Sequence, residues 1–208
     1  NNRERLLVLA ACLLITFCMG TVHAFSTLIQ NIEMQTNVGR MASSLVYSTA
    51  LINVTLAVYV GHILYRKFSP QVLIFFIAIL PIIGLLISNS ESWIGWIIGY
   101  GIFFGFSSGL GYGLSLYIVS SVTENEKLGF ALGLVTASYA FGAVIFSMLY
   151  PFLFDHLGFK DGYICGLLIL SSIVFIGLVL FSTSRVKLIQ ESSTSQQKDF
   201  NGVKILKL

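Results

Sequence analysis

Residues 93–121 read WIGWIIGYGIFFGFSSGLGYGLSLYIVSS, an uncharged run in which Gly101, Gly105, Gly109 and Gly113 return at every fourth position. About 20 mostly apolar residues carry a helix across the hydrocarbon core of a bilayer, and this stretch exceeds that length. Glycines four apart lie on one helix face. With no side chain there, a second helix backbone can approach closely, which is how helices associate in lipid. A later run continues the pattern with Gly129, Gly133, Ala137, Ser138 and Gly142. The stripe reads as tight helix packing, or as a surface that slides during a conformational change; the residues are the same in both cases.

Working outward, five further stretches qualify as spans: Leu6–Leu28, Met41–Leu64, Gln71–Ser88, Leu128–Phe154 and Gly162–Phe181. They are continuous apolar runs without the alternation of a barrel wall, so they are predicted to be helices. The polar breaks, near 31–40, 65–70, 89–92, 123–127 and 155–161, leave no room for a second soluble domain. Of the 208 residues, 56% are apolar and only 10% charged. A soluble domain is nearer a quarter charged and could not hide this much apolar surface from water. The fold class expected is all-α: a six-helix transmembrane bundle over residues 1–187, followed by a polar tail or linker over 188–208. The chain opens on Asn1 rather than methionine, as expected of a segment of a longer protein.

Lys and Arg set the orientation of such a chain. Arg3, Arg5, Arg66, Lys67, Lys127, Arg185 and Lys187 lie near helix ends on one side, against Arg40 and Lys160 on the other. The N-terminus, the second and fourth loops and the tail are therefore expected in the cytoplasm, in a multi-pass protein of the cell membrane. Trp93 and Trp96 then fall at the outer interface, where indole rings prefer to sit. A cleaved signal peptide fits the first span less well, because its apolar run is longer than a signal core and five more spans follow.

Polar residues inside the spans also align. Thr16, Gly20, His23 and Thr27 follow helical spacing in the first span, and Ser44, Ser48, Thr55, Tyr59 and His62 in the second. Tyr112 and Ser115 sit in the fourth span, Thr136 and Tyr139 in the fifth. Such faces are expected to meet a bundle interior or a wet cavity rather than lipid. His23 is the ionisable group well inside a span; it reads either as a group that binds a proton or an anion near neutral pH, or as a neutral histidine bonded to a neighbouring helix.

Other patterns carry less. Gly105-Phe106-Ser107-Ser108-Gly109 matches a nucleophile elbow, but it lies in an apolar helix rather than on a strand-to-helix turn. Asn53-Val54-Thr55 matches a glycosylation triplet inside a span. Cys12, Cys18 and Cys165 sit in apolar runs and read as core thiols. There is no metal-ligand cluster, Walker loop or dinucleotide fingerprint, and no basic block for nucleic acid. No catalysis and no cofactor are expected.

Together these residues resemble the N-terminal half of a major facilitator superfamily transporter, and within it the monocarboxylate and oxalate–formate porter branch. Gly20-Thr21-Val22-His23-Ala24-Phe25-Ser26 is similar to that branch's Gly-x-x-Tyr-Ala-aromatic-Ser, with His23 in place of tyrosine. Gly109-Leu110-Gly111-Tyr112-Gly113 resembles its Gly-x-Gly-x-Gly stretch, and Glu126-Lys127-Leu128-Gly129-Phe130-Ala131-Leu132-Gly133-Leu134 its Glu-Lys-Arg-Gly-Leu-Ala-x-Gly-Leu. Pro151 and Gly158-Phe159-Lys160 resemble the proline and Gly-Trp-Arg that close helix 5 and open helix 6. The superfamily's gating loop, Gly-x-Leu-x-Asp-Arg-x-Gly, is only partly kept: Gly61, Arg66 and Lys67 remain, while the aspartate and second glycine are gone. Gly133 and Gly142 fit the antiporter spacing of helix 5, but Phe146-Ser147 replaces its Gly-Pro.

The resemblance implies two six-helix bundles that bind substrate between them and expose it to each side in turn, each bundle built from inverted three-helix repeats. Spans 1, 2, 4 and 5 would line the cavity. Carried onto this chain, it implies a small organic anion such as a monocarboxylate as substrate, with His23, Thr27, Tyr112 and Tyr139 contributing to the site. The implied partners are the lipid bilayer and a second six-helix bundle. The alternative from another class is a non-transporting six-helix scaffold or receptor; an intramembrane enzyme stands third.

Overall fold

The computed structural model describes residues 2–89 and 91–183, which form helices with no strand among them. Six helices are long and apolar enough to cross a membrane: span 1 (Arg3–Thr27), span 2 (Arg40–Lys67), span 3 (Pro70–Ser88), span 4 (Trp93–Val122), span 5 (Glu126–Leu157) and span 6 (Phe159–Thr183). Arg185, Lys187 and the polar tail lie outside the described residues.

Local chemistry sets the joints. Pro70 opens span 3, where its missing N–H would have no intrahelical acceptor. Span 5 runs to Leu157 and stops at Gly158, whose φ of 80° favours glycine; span 6 starts on the next residue. The break expected near 31–40 is largely helical instead. Ile29–Thr36 forms a short helix because Ile32 is fully buried beneath it, and it ends on Asn37 in the left-handed conformation.

The packing pattern is that of two inverted three-helix units. Span 2 packs on span 4 as span 5 packs on span 1, and span 3 packs on span 4 as span 6 packs on span 1. Spans 1 and 4, the most buried pair, touch each other, and spans 3 and 6 do likewise. Lipid offers no hydrophobic drive for these contacts, so close backbone approach and interhelical hydrogen bonds must supply it. The four stripe glycines of span 4 face span 2, while Gly99 lies against Gly84 of span 3 and Gly111 against Met19 of span 1. A Cβ on Gly101 would stand 3.0 Å from Thr49, one on Gly105 2.7 Å from the Ala50 carbonyl, and one on Gly109 2.8 Å from the Val54 Cα. Gly20 of span 1 lies against the Tyr139 backbone, and Gly142 of span 5 against the Phe17 backbone, which makes the matching crossing on the other side.

Two expectations are corrected. Gly133 is exposed, and a Cβ there would meet nothing within 4 Å; the face of span 5 that carries it turns away from the bundle, and Gly142, nine residues on, makes the close approach. Trp96 is buried rather than interfacial, stacked on Phe159 at 5.8 Å and beside Tyr163 at 5.0 Å. Trp93 alone keeps a half-buried position at the helix end, its indole N–H donating to the Ala42 carbonyl at 2.7 Å.

Ion pairs tie the ends. Glu33 accepts from Arg40 at 2.7 Å and from Ser43 at 2.8 Å, and Lys160 reaches Glu91 at 3.3 Å. On the opposite face Arg5 bonds Glu124, and this hydrogen bond holds the Glu124 carboxyl below the usual carboxylate range.

Candidate functional site

Span 1 changes pitch where the polar residues gather. Its α-helix ends at Met19, and Gly20–Thr27 winds as a 3₁₀-helix. Span 4 departs the other way, widening into π-helical turns over Ile97–Phe104 before it resumes as an α-helix at Gly105. Changes of pitch of this kind recur at functional sites, and they shift backbone donors and acceptors out of register. Here side chains of span 4 make good the difference. Ser108 donates to the Met19 carbonyl at 2.7 Å, and Tyr100 donates to the Val22 carbonyl at 3.0 Å.

The tighter pitch decides which residues share a face. At three residues per turn, positions three apart align, so Ser26 rather than Thr27 follows His23. Both His23 and Ser26 are exposed. Thr27 departs from the expected face: it is half-buried and its hydroxyl turns back to its own helix, donating to Ala24 at 2.8 Å. Thr16, four residues before Gly20, is fully buried and bonded to Cys12 at 2.9 Å. For Thr27, helical spacing alone missed this because it assumed 3.6 residues per turn throughout.

Around His23 the structure assembles side chains from four spans. The His23 Nδ1 lies 2.8 Å from the Tyr47 hydroxyl of span 2. The imidazole meets Tyr139 of span 5 edge-on, with ring centres 5.4 Å apart, and Tyr139 in turn contacts Tyr112 of span 4 at 4.7 Å. Proton bookkeeping orients the phenols. Ser108 spends its one hydrogen on Met19, so Tyr139 is the donor in their 3.2 Å contact. Thr136 spends its own on Leu132, so Tyr112 is the donor to Thr136 at 3.3 Å. Each phenol oxygen keeps lone pairs to accept from a ligand, and His23 Nε2 has no hydrogen-bond partner among the described residues. Tyr47 and Ser26 were not singled out from the sequence. Tyr47 stands three residues after Ser44 and could have been placed on that face; Ser26 needed the change of pitch.

Formal charges keep to the helix ends and the connections among the described residues. Glu4, Glu33, Glu91, Glu124, Glu126, Asp155 and Asp161 all lie in loops or end turns of the described helices. No carboxylate, and no lysine or arginine, among the described residues lies inside a span beyond its end turns. Among the described residues no group of His, Cys, Asp and Glu could hold a metal ion. The serines of the elbow-like stretch are bonded to backbone instead of poised for attack, Ser107 to Ile77 at 2.9 Å and Ser108 to Met19.

At the far end of span 2, the gating-loop residues take a different arrangement. Tyr65 stands four residues after Gly61, where the loop signature has aspartate. Its ring is buried over two glycines: a Cβ on Gly61 would lie 2.7 Å from the Tyr65 Cζ, and one on Gly113 2.5 Å from its hydroxyl. The ring stacks on Tyr117 at 5.4 Å, and its hydroxyl donates to the Leu110 carbonyl at 3.3 Å. Arg66 and Lys67 are exposed in the last turn of span 2, where cations complement the carbonyl end of the helix.

No curated protein matches this chain. A family model described as Major Facilitator Superfamily matches residues 11–207, nearly the whole length. With six membrane-length helices packed as two inverted triplets around a polar cluster, the chain belongs to the Major Facilitator Superfamily of membrane transporters.

Proposed function

We propose that this bundle is the N-terminal half of a secondary transporter that moves a small organic anion, such as a monocarboxylate, by alternating access. The single observation that carries the reading is His23, exposed four residues before the end of span 1, against Tyr47 and Tyr139 and, through Tyr139, Tyr112, from three other spans. An imidazole that gains a proton becomes a cation with a free donor at Nε2, and Tyr47, accepting from its Nδ1–H, keeps its own O–H to donate to a carboxylate. An imidazole that can take a proton, with no carboxylate inside the described spans beyond their end turns, favours an anion over a cation. A second six-helix bundle, in the same polypeptide or another subunit, would close the site against spans 2 and 5. The charge distribution supports a cell-membrane protein with both termini in the cytoplasm.

The test is uptake of radiolabelled short monocarboxylates by cells expressing the protein, with and without His23→Ala. A charged hydrogen bond is worth about 1.5–3 kcal/mol, so affinity should fall roughly ten- to hundredfold, and the pH dependence of uptake should flatten. Unchanged affinity with unchanged pH dependence would remove His23 from the site. The loop around Tyr65 supports a second reading, a non-transporting scaffold or receptor, because the signature aspartate is replaced. Sealed vesicles that bind the labelled anion without accumulating or exchanging it would favour that reading.

A further inference from the structure

We infer that Tyr100 is a positioning residue for His23, holding it toward Tyr47 and Tyr139 by two separate routes. The first runs through the backbone. Tyr100 projects from the π-helical turns of span 4 and is almost fully buried, and its hydroxyl donates to the carbonyl of Val22, the residue before His23. That bond satisfies a carbonyl within the 3₁₀ segment from outside the helix, which favours the tighter winding over an α-helix. The winding matters for direction. Over the three residues from Gly20 to His23, relaxing from 3.0 to 3.6 residues per turn would turn the imidazole by about 60° about the helix axis.

The second route runs through rings. Tyr100 contacts Phe25 at 5.1 Å, Phe25 stacks nearly parallel on Tyr47 at 5.5 Å, and Tyr47 bonds His23 Nδ1 at 2.8 Å. Phe25 is 2% exposed, so the stack has little freedom to rearrange. Tyr100 therefore sets both partners of the His23–Tyr47 bond: the backbone that carries the imidazole, and the ring that fixes the phenol. The two departures from α-helical pitch then have a common consequence. The widened turns of span 4 present Tyr100, and the narrowed turns of span 1 receive it.

This role rests on reading His23 as a site residue, and its readout is independent of uptake, so the two can fail separately. The chain has three histidines, His23, His62 and His156, so ¹⁵N-histidine labelling of the full chain in lipid nanodiscs gives a simple spectrum, with His23 assigned by its loss in His23→Ala. Tyr100→Phe keeps the ring and removes the hydroxyl. It should shift or split the His23 imidazole signals and leave those of His62 and His156 in place. Tyr163→Phe, an equally buried tyrosine whose ring packs against Trp96 and Tyr150 and not in the chain of contacts to His23, should move none of them. An unmoved His23 signal in Tyr100→Phe, or an equal movement in Tyr163→Phe, overturns the proposal. Should Tyr100→Phe not yield folded protein, Phe25→Leu interrupts the ring route alone: a shifted His23 signal supports the proposal and an unshifted one overturns it.

Discussion

Spans 1 and 4 differ from spans 2 and 5 in nearly every respect that lipid makes important. The most apolar windows of spans 1 and 4 are 56% and 67% buried within the bundle, those of spans 2 and 5 only 22% and 17%. The buried pair departs from α-helical pitch, while the exposed pair is α-helical from end to end. Several hydroxyls follow the same division, although Tyr65 of span 2 and Ser138 of span 5 also reach across, to Leu110 and Leu13, and Thr16 and Thr27 of span 1 bond back to their own helix. Ser107, Ser108 and Tyr100 of span 4 reach across to carbonyls of other helices. On span 2, Ser44, Ser48 and Thr55 bond back to their own helix one turn earlier, at Arg40, Ser44 and Leu51. A helix that satisfies its own polar groups can stand against lipid or a partner; one that lends them to neighbours is committed to the interior.

The comparison is most sharply tested at the glycines. Gly105→Leu should cost about 3 kcal/mol of folding stability by overpacking the contact with Ala50, measured by unfolding in detergent. Gly133→Leu, with open space around it, should stay within about 0.5 kcal/mol. Equal losses at the two sites would break the division between them.

A smaller effect separates the hydroxyls. Ser108→Ala removes a bond between spans and should cost about 0.6–1.7 kcal/mol, the range of measured interhelical hydrogen bonds in membranes. Thr55→Ala removes only a bond within span 2 and should be close to neutral. If Thr55→Ala were the more damaging, the exposed face of span 2 would have to be reinterpreted as a packed one.

The smallest effect is expected at the Arg5–Glu124 pair, which joins the start of span 1 to the span 4–5 loop in full view of solvent. The folded-state value of Glu124 is depressed, so the contribution is complete above the ordinary carboxylate range. It is lost as pH falls through the lower, folded value. Arg5→Gln should therefore lower stability slightly at neutral pH and leave it unchanged in strong acid, with the difference shrinking as salt is added. A difference that grew in acid would show that Glu124 is not the partner that matters.

Much of the bundle was legible because lipid imposes long uncharged runs on any helix that crosses it. The six spans match to within a few residues. The stripe of Gly101, Gly105, Gly109 and Gly113 could be read as a packing surface, though which helix it meets could not, since nothing in a spacing names the partner. Gly133 shows the same limit: it has the right interval, but on a face turned outward. Trp96 shows another, because an indole packed 5.0 Å from the Tyr163 ring of another span and one near headgroups look alike in sequence.

The cluster was half visible. His23, Tyr112 and Tyr139 could be picked out as polar groups in apolar surroundings, which is costly unless they face one another or a cavity. Composition and run length, set by the solvent, determined from sequence alone that this is an all-α membrane bundle. Tertiary structure decided the rest: Thr27 turned back to its own helix, Tyr47 came to His23, and Ser26 took the exposed face beside it. Local pitch is chosen by cross-helix bonds such as Tyr100 to Val22, and those partners lie 78 residues apart in the chain.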